Sequence, residues 1–88
     1  MAATNALTTG STTASSSDIT LTTLTIACLK GTSASSPSSP MVTVMLKDDG
    51  GAYNPVDFMD GTRRSLYLPA GVYRFDRVAG TCGVFTGA

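Results

Sequence analysis

The sequence predicts a small all-β domain, an antiparallel β-sandwich or barrel of about six short strands with an extended N-terminal arm. Three observations carry that expectation. Ser and Thr supply more than a quarter of the 88 residues, while Glu and Gln, both good helix formers, are absent. Apolar side chains alternate with small polar ones in several stretches, the period of a half-buried strand. Turn signals (Asp-Gly, Gly-Gly, Pro-Ala-Gly, Ala-Gly) recur about every 8–12 residues, as in sandwiches and small barrels.

Residues 1–17, MAATNALTTGSTTASSS, carry no charge, and Leu7 is their one branched apolar side chain. Such a segment cannot offset its ordering entropy by burying itself, so it is expected to lie extended on another molecule. Main-chain hydrogen bonds, including those at Thr8 and Thr9, would supply most of that contact, with Leu7 as anchor. The domain proper is then 18–88. It opens on Ile19-Thr20-Leu21-Thr22-Thr23-Leu24-Thr25-Ile26-Ala27-Cys28-Leu29, where Ile19 and Leu21 share one phase and Leu24, Ile26 and Cys28 the other. The slip at Thr22-Thr23 predicts either a β-bulge or two strands joined by a bend. Lys30 to Pro40, small, polar and broken by two prolines, is a loop by composition.

Met41–Lys47 is the next strand, with Val42, Val44 and Leu46 on one face. Asp48-Asp49-Gly50-Gly51 predicts a hairpin turn of the primed kind, which needs positive φ. Ala52–Met59 returns as a strand that Pro55 makes irregular or confines to an edge. Asp60-Gly61 signals a second hairpin, Thr62–Leu68 a strand with Leu66 and Leu68 inward, and Pro69-Ala70-Gly71 a turn. In Val72–Val78, alternation sets Tyr73, Phe75 and Arg77 on one face and Val72, Arg74, Asp76 and Val78 on the other. Arg74 and Asp76, two apart on one side, form a natural surface ion pair, either a solvated strand face or a polar contact surface for a partner. Ala79-Gly80 turns the chain into a last strand, Thr81–Thr86.

Composition excludes more than it assigns. The net charge is zero and the six basic residues are scattered, against the concentrated basic face that nucleic acid requires. No apolar run approaches the ~20 residues of a membrane span. The first residues lack a basic and an apolar region, so no secretory leader is expected. Without His no Ser or Cys can have an imidazole partner, and without Glu the remaining acids are Asp48, Asp49, Asp57, Asp60, Asp18 and Asp76. Asp48, Asp49 and Asp60 sit in turn signals, where Asp bonds the backbone. Calcium at DDGGAYNPVD is chemically conceivable, but the spacing departs from the familiar loop. No catalytic residue, metal or cofactor is therefore expected. Cys28 and Cys82 fall in different strands; an inter-sheet disulfide and two small buried thiols are both open, with a reducing cytoplasm favouring thiols.

A chain of this size buries only about 60% of its unfolded surface, so oligomerisation is expected to complete the core. The uncharged Ser/Thr/Ala arm leading into SSSDITLT, the hairpin VTVMLKDDGGAY, the strand LPAGVYRF and the terminal GTCGVFTGA together resemble small virion structural proteins of tailed bacteriophages, most closely capsid decoration or cement proteins. The resemblance implies a non-enzymatic β-domain that binds and stabilises the capsid surface. Its partners would be the major capsid protein and copies of itself, in a homo-oligomer such as a trimer, and its location the virion, after synthesis in the host cytoplasm. Neither nucleic acid nor a membrane is an expected partner. A phage tail, neck or fibre accessory protein is the alternative within that class. A carbohydrate-binding β-module, stacking sugars on Tyr53, Phe58 or Tyr67, is the alternative outside it.

Overall fold

The computed structural model describes residues 3–31 and 40–87. In chain order these form nine strands: β1 (Thr4–Gly10), β2 (Ala14–Ser15), β3 (Ile19–Leu21), β4 (Thr25–Lys30), β5 (Met41–Lys47), β6 (Tyr53–Asp60), β7 (Ser65–Leu68), β8 (Gly71–Ala79) and β9 (Cys82–Gly87). They make two antiparallel sheets packed face to face. One has the order β1-β9-β4-β7; the other has β2-β8-β5-β6, with β3 also pairing β8. The all-β sandwich is as expected; the strand count and the place of the N-terminus are not. The loop predicted over Lys30–Pro40 lies mostly outside the described residues.

The N-terminal segment is part of the body. β1 is an edge strand on β9, with Asn5 opposite Phe85 and Leu7 opposite Val84. The register slips between those pairs, a bulge that turns the adjacent Ala6 and Leu7 both inward. Leu7 is only 5% exposed and belongs to the core. The chain then crosses to the other sheet, where β2 and β3 lie end to end along β8, Ala14 opposite Arg77 and Ile19 opposite Tyr73. Composition misjudged this segment because it measured what the segment could bury by itself. One leucine and a row of free main-chain groups suffice when β9 offers an unpaired edge.

A second slip, between Leu7 and Gly10, carries β1 over Gly83. A Cβ at Gly83 would stand 2.5 Å from the Leu7 carbonyl oxygen and 2.8 Å from the Thr9 nitrogen. These are backbone atoms, which cannot swing aside. Gly83→Ala is therefore expected to push β1 off β9 at a cost of about 1–3 kcal/mol. Urea unfolding would give that value, and the β1 amides should lose hydrogen-exchange protection.

The slip at Thr22-Thr23 proves to be a bend that changes sheets, since β3 and β4 lie in opposite layers. The inward phase of β4 is Thr25, Ala27 and Leu29, while Ile26 and Cys28 are half-buried on the outer face and Leu24 is 65% exposed. The phase of Thr25, Ala27 and Leu29 thus faces the core, on the same side as Leu66 of β7 and Val84 of β9. β5 and β6 are the one pair of consecutive strands that form a hairpin. Its turn uses a single positive φ, at Gly51, with the Gly51 N–H donating to the Asp48 carbonyl; it is a longer turn than the primed type expected. Asp60-Gly61 does turn the chain, but into the other sheet, so no hairpin forms there.

The core lies between the layers. Leu7, Ala27, Leu29, Leu66, Leu68, Cys82 and Val84 meet Leu21, Val42, Val44, Met59, Tyr73 and Phe75. Tyr73 buries its ring and donates its hydroxyl to the Pro69 carbonyl at 2.8 Å, pinning the corner where LYLPAGVYRF passes from one sheet to the other. Both cysteines are free thiols in adjacent strands of one sheet, Cys82 facing the core and Cys28 the outer surface, so no inter-sheet bridge forms. Burial pushes the Cys82 thiol up, against the opposing influence of Arg77.

Candidate interaction surfaces

Alternation along β8 and β5 gives the β2-β8-β5-β6 sheet a mixed outer face. Arg74, Asp76 and Val78 stand on β8, and Met41, Thr43 and Met45 on β5. Register sets Arg74 beside Met45 and then Pro55, and Asp76 beside Thr43 and then Phe58. Met41, Phe58 and Val78 are exposed large apolar side chains, as is Val56 at the β6 bulge. The expected ion pair is present: Arg74 Nε and Nη2 donate to the two Asp76 carboxylate oxygens, each at 2.9 Å. That carboxylate holds the Arg74 pKa up. The guanidinium also covers the Tyr53 ring, 4.1 Å from its centroid.

Tyr53 continues the network. Its hydroxyl donates to Asp18, and Lys47 donates to the same carboxylate at 3.1 Å. The Tyr53 and Lys47 contacts hold the Asp18 carboxyl below the usual carboxylate range, and the Tyr53 and Lys47 pKa values are raised in return. Asp18, expected to begin the domain, thus ties its first strands to β5 and β6.

The turn aspartates act as turn residues. Asp48 Oδ1 accepts from the Gly50 and Ala52 N–H groups and Oδ2 from the Asn54 side chain. Asp60 Oδ1 accepts from the Thr62 N–H and hydroxyl and from the Arg63 N–H. The Asn54 bond first and the backbone donors next lower the Asp48 pKa; the Thr62 bonds do the same at Asp60. Carboxyls held below their ordinary pKa in the folded state contribute stability above that ordinary value, lost as pH falls through the lower folded values. Urea midpoints should therefore fall between about pH 5 and about pH 2. Asp48→Asn, which keeps the shape and an oxygen to accept from the Gly50 and Ala52 N–H groups but neither the charge nor the acceptor facing Asn54, should make that fall shallower.

The residues named from sequence as partner contacts are not brought together. Arg74 and Asp76 stand on this outer face. Thr8 and Thr9 are exposed on β1, at the edge of the other sheet, and Leu7 is inside the sandwich, unavailable as an anchor on a neighbour. The aromatics that could have stacked a sugar are also divided. Tyr67, 67% exposed, lies on the outer face of the β1-β9-β4-β7 sheet, while Tyr53 and Phe58 lie on the other sheet, Tyr53 beneath the Arg74 guanidinium.

Sequence reasoning missed the role of Arg77. It shares the inward face of Tyr73 and Phe75 and is only 4% exposed. Nε donates to the Thr12 carbonyl at 2.6 Å, and Nη1 to the Thr8 and Cys82 carbonyls, both at 2.9 Å. One side chain thereby clamps the segment between β1 and β2 onto β9. The signal was its alternation phase, which already grouped it with the two core aromatics. No family model matches the chain, and no curated protein or solved structure matches it.

Proposed function

We propose that this chain is a non-enzymatic structural protein of a tailed-phage virion that attaches to the capsid surface as a decoration or cement protein, acting as a homo-oligomer. The observation that carries the reading is the outer face of the β2-β8-β5-β6 sheet. There Met41, Phe58 and Val78 are exposed around the Arg74–Asp76 pair, apolar area beside fixed polar groups, the mixture a protein interface uses. A single thin core and the resemblance of LPAGVYRF and its neighbours to such proteins support the same reading. A tail or neck location remains the alternative for the same surface.

Purified protein added to particles that lack it should bind in saturable, stoichiometric amounts. Phe58→Asp, at an exposed position, should keep the wild-type circular dichroism and weaken attachment about tenfold or more. Absence of saturable binding, or equal binding by the folded variant, would defeat the proposal.

A further inference from the structure

We propose that the cleft between β1 and β2–β3 is a binding site for a small oxyanion, received by the guanidinium of Arg77. This goes beyond the virion reading and does not depend on it. The cleft is about 560 Å³ and opens where the N-terminal segment passes from one sheet to the other. Among the described residues its lining includes the hydroxyl-bearing Thr8, Thr12, Ser15 and Ser16 and no acidic residue, and Arg77 is the one charged member.

Three features of Arg77 point to an anion. First, it is a nearly fully buried cation, and among the described residues the salt bridges join Lys47 to Asp18, Arg63 to Asp57 and Arg74 to Asp76, leaving Arg77 with no carboxylate within ion-pair distance. The Thr8, Thr12 and Cys82 carbonyls satisfy donors as dipoles, but they supply no counter-charge to the guanidinium. Second, those carbonyls take Nε and Nη1, while Nη2 has no hydrogen-bond acceptor among the described residues. Third, the guanidinium is packed closely against Gly10 and so is held in place. A Cβ on Gly10 would stand 2.8 Å from Nη2. Gly10 has no positive φ, so its backbone conformation does not demand glycine; room at the guanidinium does. An arginine fixed at Nε and Nη1, with no acceptor among the described residues at Nη2, offers a preorganised charged donor, and neighbouring hydroxyls can donate to the remaining oxygens of a carboxylate or phosphate.

The test is a titration of the ¹⁵N-labelled full chain with sodium phosphate and, separately, sodium acetate, against sodium chloride at matched ionic strength, following the arginine Nε–H resonances. The Arg77 resonance should shift saturably with phosphate, with acetate, or with both, while those of the exposed Arg63 and Arg64 should not saturate. Saturation by phosphate alone identifies a free tetrahedral anion as the natural occupant; saturation by acetate alone identifies a carboxylate presented by a partner chain. Ala14 lines the cleft directly across from Arg77. Ala14→Asp should place a carboxylate beside the guanidinium, abolish the response to added anion and raise the melting temperature. Gly10→Ala should weaken anion binding about tenfold or more. If all arginine resonances drift together without saturation, the cleft holds an adventitious ion only and the proposal fails. It fails equally if folded Ala14→Asp responds to phosphate and acetate as the unaltered chain does.

Discussion

Leu7→Asp is expected to unfold the protein, and deletion of residues 2–16 is expected to do the same. Leu7 sits in the core opposite Val84, so Asp there would bury an unpaired carboxylate among apolar side chains. Truncating a buried leucine alone costs about 2–5 kcal/mol, and a small domain has only about 5–15 kcal/mol in total. The deletion goes further. It removes β1 and β2, bares the β9 edge and strips Arg77 of the Thr8 and Thr12 carbonyls. A guanidinium deprived of those acceptors in a buried site costs more than the lost bonds. Circular dichroism and urea unfolding would check both variants. A deletion variant that kept the wild-type spectrum and cooperative unfolding would mean that the segment is a detachable arm after all, and that β4, β7 and β9 hold their sheet without it.

Phe75→Ala is expected to lower stability by about 3–5 kcal/mol, enough to leave the chain partly unfolded at room temperature if its stability is at the low end for domains of this size. The ring is fully buried at the centre of β8, the strand that pairs with β2, β3 and β5. Val44 lies directly across from it on β5 and is also fully buried. Val44 cannot collapse into the void, because β5 and β8 are each fixed by sheet hydrogen bonds on both sides. Phe75→Leu, which keeps most of the volume, should lose distinctly less. Equal losses for the two variants would mean that the site relaxes freely and that ring packing is not what holds β8 in place. Phe58→Ala provides the contrast: Phe58 is exposed, so its loss should fall within the range of ordinary surface substitutions.

The outer-face network and the inner clamp divide the cations of β8 by phase. Arg74 and Arg77 are three residues apart on one strand, so they point to opposite sides of the sheet. Arg74 meets a carboxylate at the surface, where water screens the pair and its contribution to stability is small. Among the described residues Arg77 meets carbonyls inside and no carboxylate, and there each satisfied donor matters more. The same residue type therefore serves an exposed recognition face in one position and a buried tie in the other.

Local chemistry alone determined the strand character of this chain, the exact span Met41–Lys47, the inward Leu66 and Leu68, the Arg74–Asp76 pair, and the turn roles of Asp48 and Asp60. Each depends on neighbours within a few residues: alternation sets a face, and a short carboxylate side chain reaches its own turn's N–H groups. What only the tertiary structure decided is which strands pair, which face of β4 is inside, and where residues 3–17 go. Apart from the β5–β6 hairpin, the described turns carry the chain from one sheet to the other or, between β2 and β3, along one edge of β8, so sequence neighbours do not predict ladder partners. Alternation in β4 offers two faces, Ile26 with Cys28 and Thr25 with Ala27 and Leu29, and only the pairing of β4 between β7 and β9 sets the second against the core. The N-terminal segment has too little apolar surface to order itself. It is held by an edge of β9 and by Arg77, both supplied by residues more than sixty positions along the chain, and no local pattern in those first residues records that they will be there.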